Sequence, residues 1–172
     1  MLVLGIDPGI AITGVALVKE EKGRQKLIYT EALTTSATLS TSRRLLSLFT
    51  HLSSLTQKYH PDVAALENLF FNTNAKTALI VGQARGVVQL AFAQTNIPIV
   101  EYTPLQVKSA ITGYGRADKT QIQQMVKAIL KLPNILKPDD VADAAAIALT
   151  HCFSYKGNQI RSTKYEIRNK IK

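Results

Sequence analysis

Four acidic side chains stand where they could do chemistry together. Asp7 closes a short apolar run, Glu67 closes another at residues 62–67, and Asp140 and Asp143 lie three residues apart, on one face of a helix at its first turn. Open α/β sheets bind ligands beyond the carboxyl ends of their parallel strands, so two strand-end carboxylates on adjacent strands project into one crevice. A helix packed across that end adds two more. Four carboxylates within a few ångströms repel by several kcal/mol at an effective dielectric of ~20, so at neutral pH they must take up protons or bind cations. Divalent metal is the simpler answer. All-oxygen ligation suits Mg²⁺ or Mn²⁺ rather than zinc, and the helix-end dipole helps keep Asp140 and Asp143 ionised. In a chain of net charge +9, metal ions can bridge such a pocket to phosphate while the basic surface holds the rest of the backbone. That combination is nuclease chemistry.

Each acid also has a bland reading. Asp7-Pro8-Gly9 is a common turn, Glu67 alone is a solvated strand end, and Asp139 or Asp140 alone is a helix cap. Their joint placement favours a site. Asp139 shares the helix face at four residues from Asp143, and spacing alone does not separate it from Asp140.

The elements that must position these acids follow from periodicity. Residues 2–6, 13–18 and 26–33 are short β-rich runs separated by turn residues, and they predict a three-stranded meander. Residues 42–59 place Leu45, Leu48, Phe49, Leu52 and Leu55 on one helical stripe, and Pro61 stops it. The strand at 62–67 follows a helix and so lies parallel in the same sheet. The helix at 74–95 is apolar nearly all round, which predicts cover by the sheet on one face and a partner subunit on the other. A strand at 97–102, a helix from Pro104 to about 111, a glycine-bounded loop at 113–116, a helix at 119–132 and an alanine-rich helix from 139 to about 151 complete the order.

The chain has 172 residues, enough for one well-cored domain and short for two. The expected division is a nuclease domain at 1–152 and a flexible basic tail at 153–172, where six Lys/Arg and one Glu carry +5 of the net charge. With 21 Lys+Arg against 12 Asp+Glu, the partner is expected to be polyanionic. The apolar start meets Asp7 too soon for a membrane span and lacks a basic n-region, so a cytoplasmic protein with no membrane partner is expected. A single cysteine, Cys152, closes no intrachain disulfide. His51, His60 and His151 lack ligand spacing and are read as structural.

Six strings in register now make a resemblance. Gly5-Ile6-Asp7-Pro8-Gly9, Glu67 followed by Phe70-Phe71 and Asn74, Gly82-Gln83-Ala84-Arg85-Gly86, Val107-Lys108, the Gly113, Gly115, Ala117, Lys119, Gln121 series, and Asp140-x-x-Asp143-Ala144 followed by Ala146-Ile147-Ala148 closely resemble the RuvC family of Holliday-junction resolvases. The match runs from about residue 2 to 151.

The resemblance implies a ribonuclease-H-like α/β fold, with a five-stranded mixed sheet of three antiparallel and two parallel strands flanked by helices. It aligns Asp140, rather than Asp139, with the family's third carboxylate, where some members carry His. It further implies Mg²⁺-dependent, two-metal hydrolysis of a four-way DNA junction in recombination and repair, with Mn²⁺ able to substitute and with 5′-phosphate and 3′-hydroxyl products. Lys108 and Lys119 match lysines near the scissile phosphate. Phe70 matches an aromatic that stacks on unpaired bases, with Phe71 the more ordinary core residue. Arg116, in the glycine-bounded loop, is a further candidate for DNA contact.

Two matching cuts call for a C2 homodimer, with the 74–95 helix as interface and Gly82 and Gly86 permitting close packing; alternatively those glycines only accommodate the sheet. A branch-migration motor is the family's further partner. Competing functions are a ribonuclease-H-like nuclease acting on RNA and a DNA-binding module without catalysis. An actin-like or sugar-kinase ATPase shares the turn around Asp7 but needs far more chain.

Overall fold

Alternation along the first strand decides which side of the sheet carries the acids. The computed structural model describes residues 1–68 and 75–170, and for 75–77 and 156–170 only the course of the backbone. In β1 (Leu2–Asp7), Leu4 and Ile6 point to one core while Val3 points to the other, so Gly5 and Asp7 share the face of Val3. The same parity puts Val63, Ala65 and Glu67 of β4 (Val63–Glu67) on that face. Period two thus aims Asp7 and Glu67 to the same side.

The sheet is ordered β3-β2-β1-β4-β5, with β2 (Ile12–Glu21) and β3 (Arg24–Thr34) antiparallel to their neighbours and β5 (Ile99–Tyr102) parallel to β4. Ile6 of β1 pairs with Leu66 of β4 in parallel register, which makes Asp7 and Glu67 the next residues along adjacent strands. The meander, the two parallel strands and the element order expected from the sequence are all present.

Two helices cover one of the principal cores and three the other. On one face α1 (Thr41–Tyr59) and α2 (Ala75–Gln94) bury Leu48, Leu52, Val88 and Phe92 against Leu4, Ile6 and Leu66. Complete burial of side chains such as Phe92 and Leu52 stabilises the fold by about 1.5–3 kcal/mol each. On the other face lie α3 (Pro104–Thr112), α4 (Lys119–Leu130) and α5 (Asp139–Lys170). The alanine-rich pattern predicted an end for this last helix near His151, whereas its backbone continues helically to Lys170.

The contact between α5 and the sheet is unusually close, and two glycines make it so. A Cβ on Gly5 would overlap the carbonyl oxygen of Ala144 and crowd Ala148, and one on Gly14 would overlap the carbonyl oxygen of Asp140. Gly14 is the antiparallel partner of Asp7. The helix start is therefore pressed against the very place where β1 ends.

Candidate active site

The turn after Asp7 is held from three sides. Thr13, fully buried, donates from Oγ1 to the Gly9 carbonyl at 2.6 Å and accepts from the Gly9 N–H at 3.3 Å. Arg44 of α1 reaches across with Nε to Thr35 Oγ1 at 2.8 Å and with a terminal nitrogen to the Ile10 carbonyl at 3.2 Å. The Thr35 hydroxyl also donates to that carbonyl. A strand end that would otherwise fray is fixed, and Asp7 with it.

Glu67 is fixed from the opposite face. Arg85 of α2 donates to the Glu67 backbone carbonyl and pairs through its other terminal nitrogen with Glu101 Oε1 on β5 at 2.5 Å. Its side chain is only 13% exposed, so this ion pair is screened far less than a surface one. The arginine ties α2 to the ends of both parallel strands.

Asp140 arrives on the first turn of α5, where the helix dipole favours negative charge, and Asp143 follows one turn on along the same face. Electrostatics records the convergence. Burial raises the Asp7 carboxyl to about 7, with Asp143, Glu67 and Asp140 adding to the rise in that order and Lys119 opposing it. Burial likewise raises Glu67 and Asp143, with the Asp143 charge pushing on Glu67 and the Asp139 and Asp140 charges on Asp143. Lys108 and Arg85 oppose the rise at Glu67, and Lys119 opposes it at Asp143. Asp7 feels the charge of the other three acids, yet they do not close into a cage: among the described residues, no three His, Cys, Asp or Glu side chains are grouped tightly enough to clamp an ion as they stand.

A cleft of about 200 Å³ opens between Glu67, Lys108, Lys119 and Asp143, walled by Val107 and Ile122. Both lysines are presented by well-capped helices. Thr103 caps α3 in a reciprocal pair with Gln106 and has Pro104 behind it, and Asp118 caps α4 in the same way with Gln121. Lys119 pairs with Asp143 at 3.2 Å and Asp139 at 3.4 Å. A larger concavity, about 960 Å³ and rimmed by Lys19, Lys22, Arg24, Lys26 and Lys131, lies at the other end of the sheet. It contains none of the acids, so chemistry rather than size selects the smaller cleft.

Asp139 sits beside the cluster, sharing Lys119 with Asp143, but its other carboxylate oxygen is engaged elsewhere. Its Oδ1 accepts from Lys137 Nζ at 2.9 Å and Gln123 Nε2 at 3.0 Å, and Lys137 chiefly holds its carboxyl below the ordinary value. Arg116 is exposed on the loop between α3 and α4. Phe70, Phe71 and Asn74 lie outside the described residues. The histidines sit elsewhere: His151 is buried with Nδ1 2.8 Å from the Tyr102 hydroxyl, His60 ends α1, and His51 stands 3.6 Å from Glu31. The roles of Gly14, Arg44 and Arg85 were not foreseen. A glycine inside a strand is the one signal that points to Gly14.

Comparison with known proteins gives a consistent result. Residues 3–151 match the family model described as crossover junction endodeoxyribonuclease RuvC. A protein of that name from Caldicellulosiruptor saccharolyticus is 56% identical over 155 residues, which span 90% of this chain and 93% of that protein. Another of that name from Ruminiclostridium cellulolyticum is 54% identical over 156 residues, spanning 91% and 94%. The solved structure of T. thermophilus RuvC in complex with Holliday junction substrate superposes with a TM-score of 0.88 at 34% identity, covering 92% of this chain and 96% of that one.

Proposed function

This chain belongs to the RuvC family of crossover junction endodeoxyribonucleases, and from that membership we propose that it cuts four-way DNA junctions by metal-dependent hydrolysis at the carboxyl ends of β1 and β4. The fold is the ribonuclease-H-like one. The observation that carries the chemistry is the convergence on Asp7: burial first, and then the charges of Asp143, Glu67 and Asp140, bring its carboxyl to about 7.

The donor set fits divalent magnesium or manganese. It is all carboxylate, hard and negatively charged, and its self-repulsion is what a bound cation would relieve. Asp7, Glu67, Asp140 and Asp143 would hold two Mg²⁺, for which Mn²⁺ can substitute. When bound, such ions supply Lewis acidity toward the attacking water and the leaving 3′-oxygen. The residues of the chain do the rest. Arg44 and Thr13 keep Asp7 in place, Arg85 keeps the Glu67 backbone in place, and Lys108 and Lys119 offset charge growing on the phosphoryl oxygens. Ends bearing 5′-phosphate and 3′-hydroxyl are the religatable outcome.

The substrate is held by basic groups outside the cleft. In this reading Arg116 meets the backbone, Phe70 stacks on unpaired bases at the junction centre as the family resemblance implies, and the basic tail at 153–172 adds phosphate contacts.

Paired cuts require two active sites, and α2 supports a homodimer. Gly82 and Gly86 face open space: among the described residues, nothing outside their own helix lies within 4 Å of where a Cβ would be, and the sheet does not account for them. Leu79 and Leu90, 65% and 59% exposed, flank them along the helix. Among the described residues no helix is long and apolar enough to cross a membrane. We place the dimer in the cytoplasm, working beside a branch-migration motor.

The test is a substrate panel: a synthetic four-way junction, a linear duplex and an RNA/DNA hybrid, each with Mg²⁺ or with chelator. Symmetric paired nicks confined to the junction with Mg²⁺ are the expected result. Preferential cutting of the hybrid would favour an RNA-processing nuclease instead, and no cutting at all a binding module.

A further inference from the structure

Lys119 is the first residue of α4, immediately after the cap Asp118. An ammonium there is opposed by the positive end of the helix dipole, so carboxylates from outside the helix must account for its placement. Two do so. Asp143 Oδ2 lies 3.2 Å and Asp139 Oδ2 3.4 Å from Lys119 Nζ.

The two carboxylates are not equivalent. Asp143 belongs to the mutually charged cluster, and a cation engaged by it would take up charge that now attracts Lys119. Asp139 is anchored independently. Its Oδ1 is occupied by Gln123 Nε2 at 3.0 Å and Lys137 Nζ at 2.9 Å, which turns Oδ2 toward Lys119. Gln123 is 7% exposed and sits one turn along α4 from Lys119, so the start of α4 and the start of α5 are joined through this one carboxylate.

We propose that Asp139 is a positioning residue that keeps the Lys119 ammonium at the rim of the cleft when Asp143 is committed to a metal ion. The proposal deepens the nuclease reading and rests on it. It gives Asp139, which shares a helix face with the candidate ligands, a task other than ligation.

The experiment uses the full chain as wild type, Asp139→Asn, Asp139→Glu, Lys119→Met and the double variant Asp139→Asn/Lys119→Met. Single-turnover and steady-state cleavage of a synthetic junction is combined with carbon-13 NMR of the lysine ε-carbons, the Lys119 signal being the one lost in Lys119→Met. Asp139→Asn should lower kcat about tenfold, as expected for misplacing one charge-stabilising donor, with KM for the junction within about twofold, and it should shift the Lys119 signal both with and without Mg²⁺. Asp139→Glu should restore part of the rate. In the Lys119→Met background the Asp139→Asn change should cost nothing further.

Fully additive losses, or an unmoved Lys119 signal, would overturn the proposal. A wild-type protein that cuts no junction would overturn the nuclease reading instead, and the NMR comparison would still decide whether Asp139 anchors Lys119.

Discussion

Gly14 stands opposite Asp7 in the antiparallel pair of β1 and β2, and the space its missing side chain leaves is filled by the Asp140 backbone. One glycine thus fixes the separation between a strand-borne and a helix-borne acid. Gly5 repeats the device two residues back, under Ala144 and Ala148.

Replacing Gly14 with alanine should therefore damage the site more than the core. The added methyl meets backbone, which cannot rotate away, and α5 must lift. A loss of about 1–3 kcal/mol in stability is expected, together with a loss of cleavage larger than that loss of fold explains. Denaturant unfolding and junction cleavage measured on the same preparation check this. A variant with full activity would show that the close seating is dispensable.

Asp7 makes the ion-free protein pH-sensitive in a definite direction. Its carboxyl titrates near 3.8 when unfolded and near 7 when folded. Between those values the folded state binds the extra proton, so its stabilising effect is fully present below the unfolded value and is lost as pH rises through the folded one. Asp7→Asn should then stabilise the chelated protein, by about 1–3 kcal/mol at pH 8, with the advantage growing between about pH 4 and pH 7 and level above. Thermal melts in chelator across that range provide the measurement, and an advantage independent of pH would count against the acidic cluster.

The apolar stripe on α2 predicts an association that can be broken without unfolding. Gly86→Glu introduces a side chain into open space, so the protomer should keep its stability to within about 1 kcal/mol. The wild type is expected to sediment as a dimer and the variant as a monomer, with junctions nicked singly rather than in pairs. An unchanged sedimentation coefficient would move the interface elsewhere.

Much of this was legible in the residue pattern because strand ends and one helical spacing carry it. Short apolar runs that close on Asp7 and Glu67 marked two strand ends facing one crevice, and the three-residue spacing of Asp140 and Asp143 placed them on one helical face. Family resemblance preferred Asp140 to Asp139; the geometry adds a reason, since Asp139 is occupied by Lys137, Gln123 and Lys119. Long-range partners leave no periodic trace. Arg85 meets Glu67 and Glu101 only because α2 crosses the ends of two strands, and Arg44 meets Ile10 across 34 positions of chain. The extent of α5 was hidden for another reason: beyond His151 the alanine-rich pattern gives way to a largely polar and basic sequence with no clear apolar period.

Counting manganese ions bound at equilibrium, by electron paramagnetic resonance of free Mn²⁺ at pH 8, addresses the central claim most directly. Two ions per protomer are predicted for the wild type, with binding lost or reduced at least about tenfold in Asp7→Asn. Undiminished binding by Asp7→Asn, or none by the wild type at millimolar Mn²⁺, would contradict a site built from these four carboxylates.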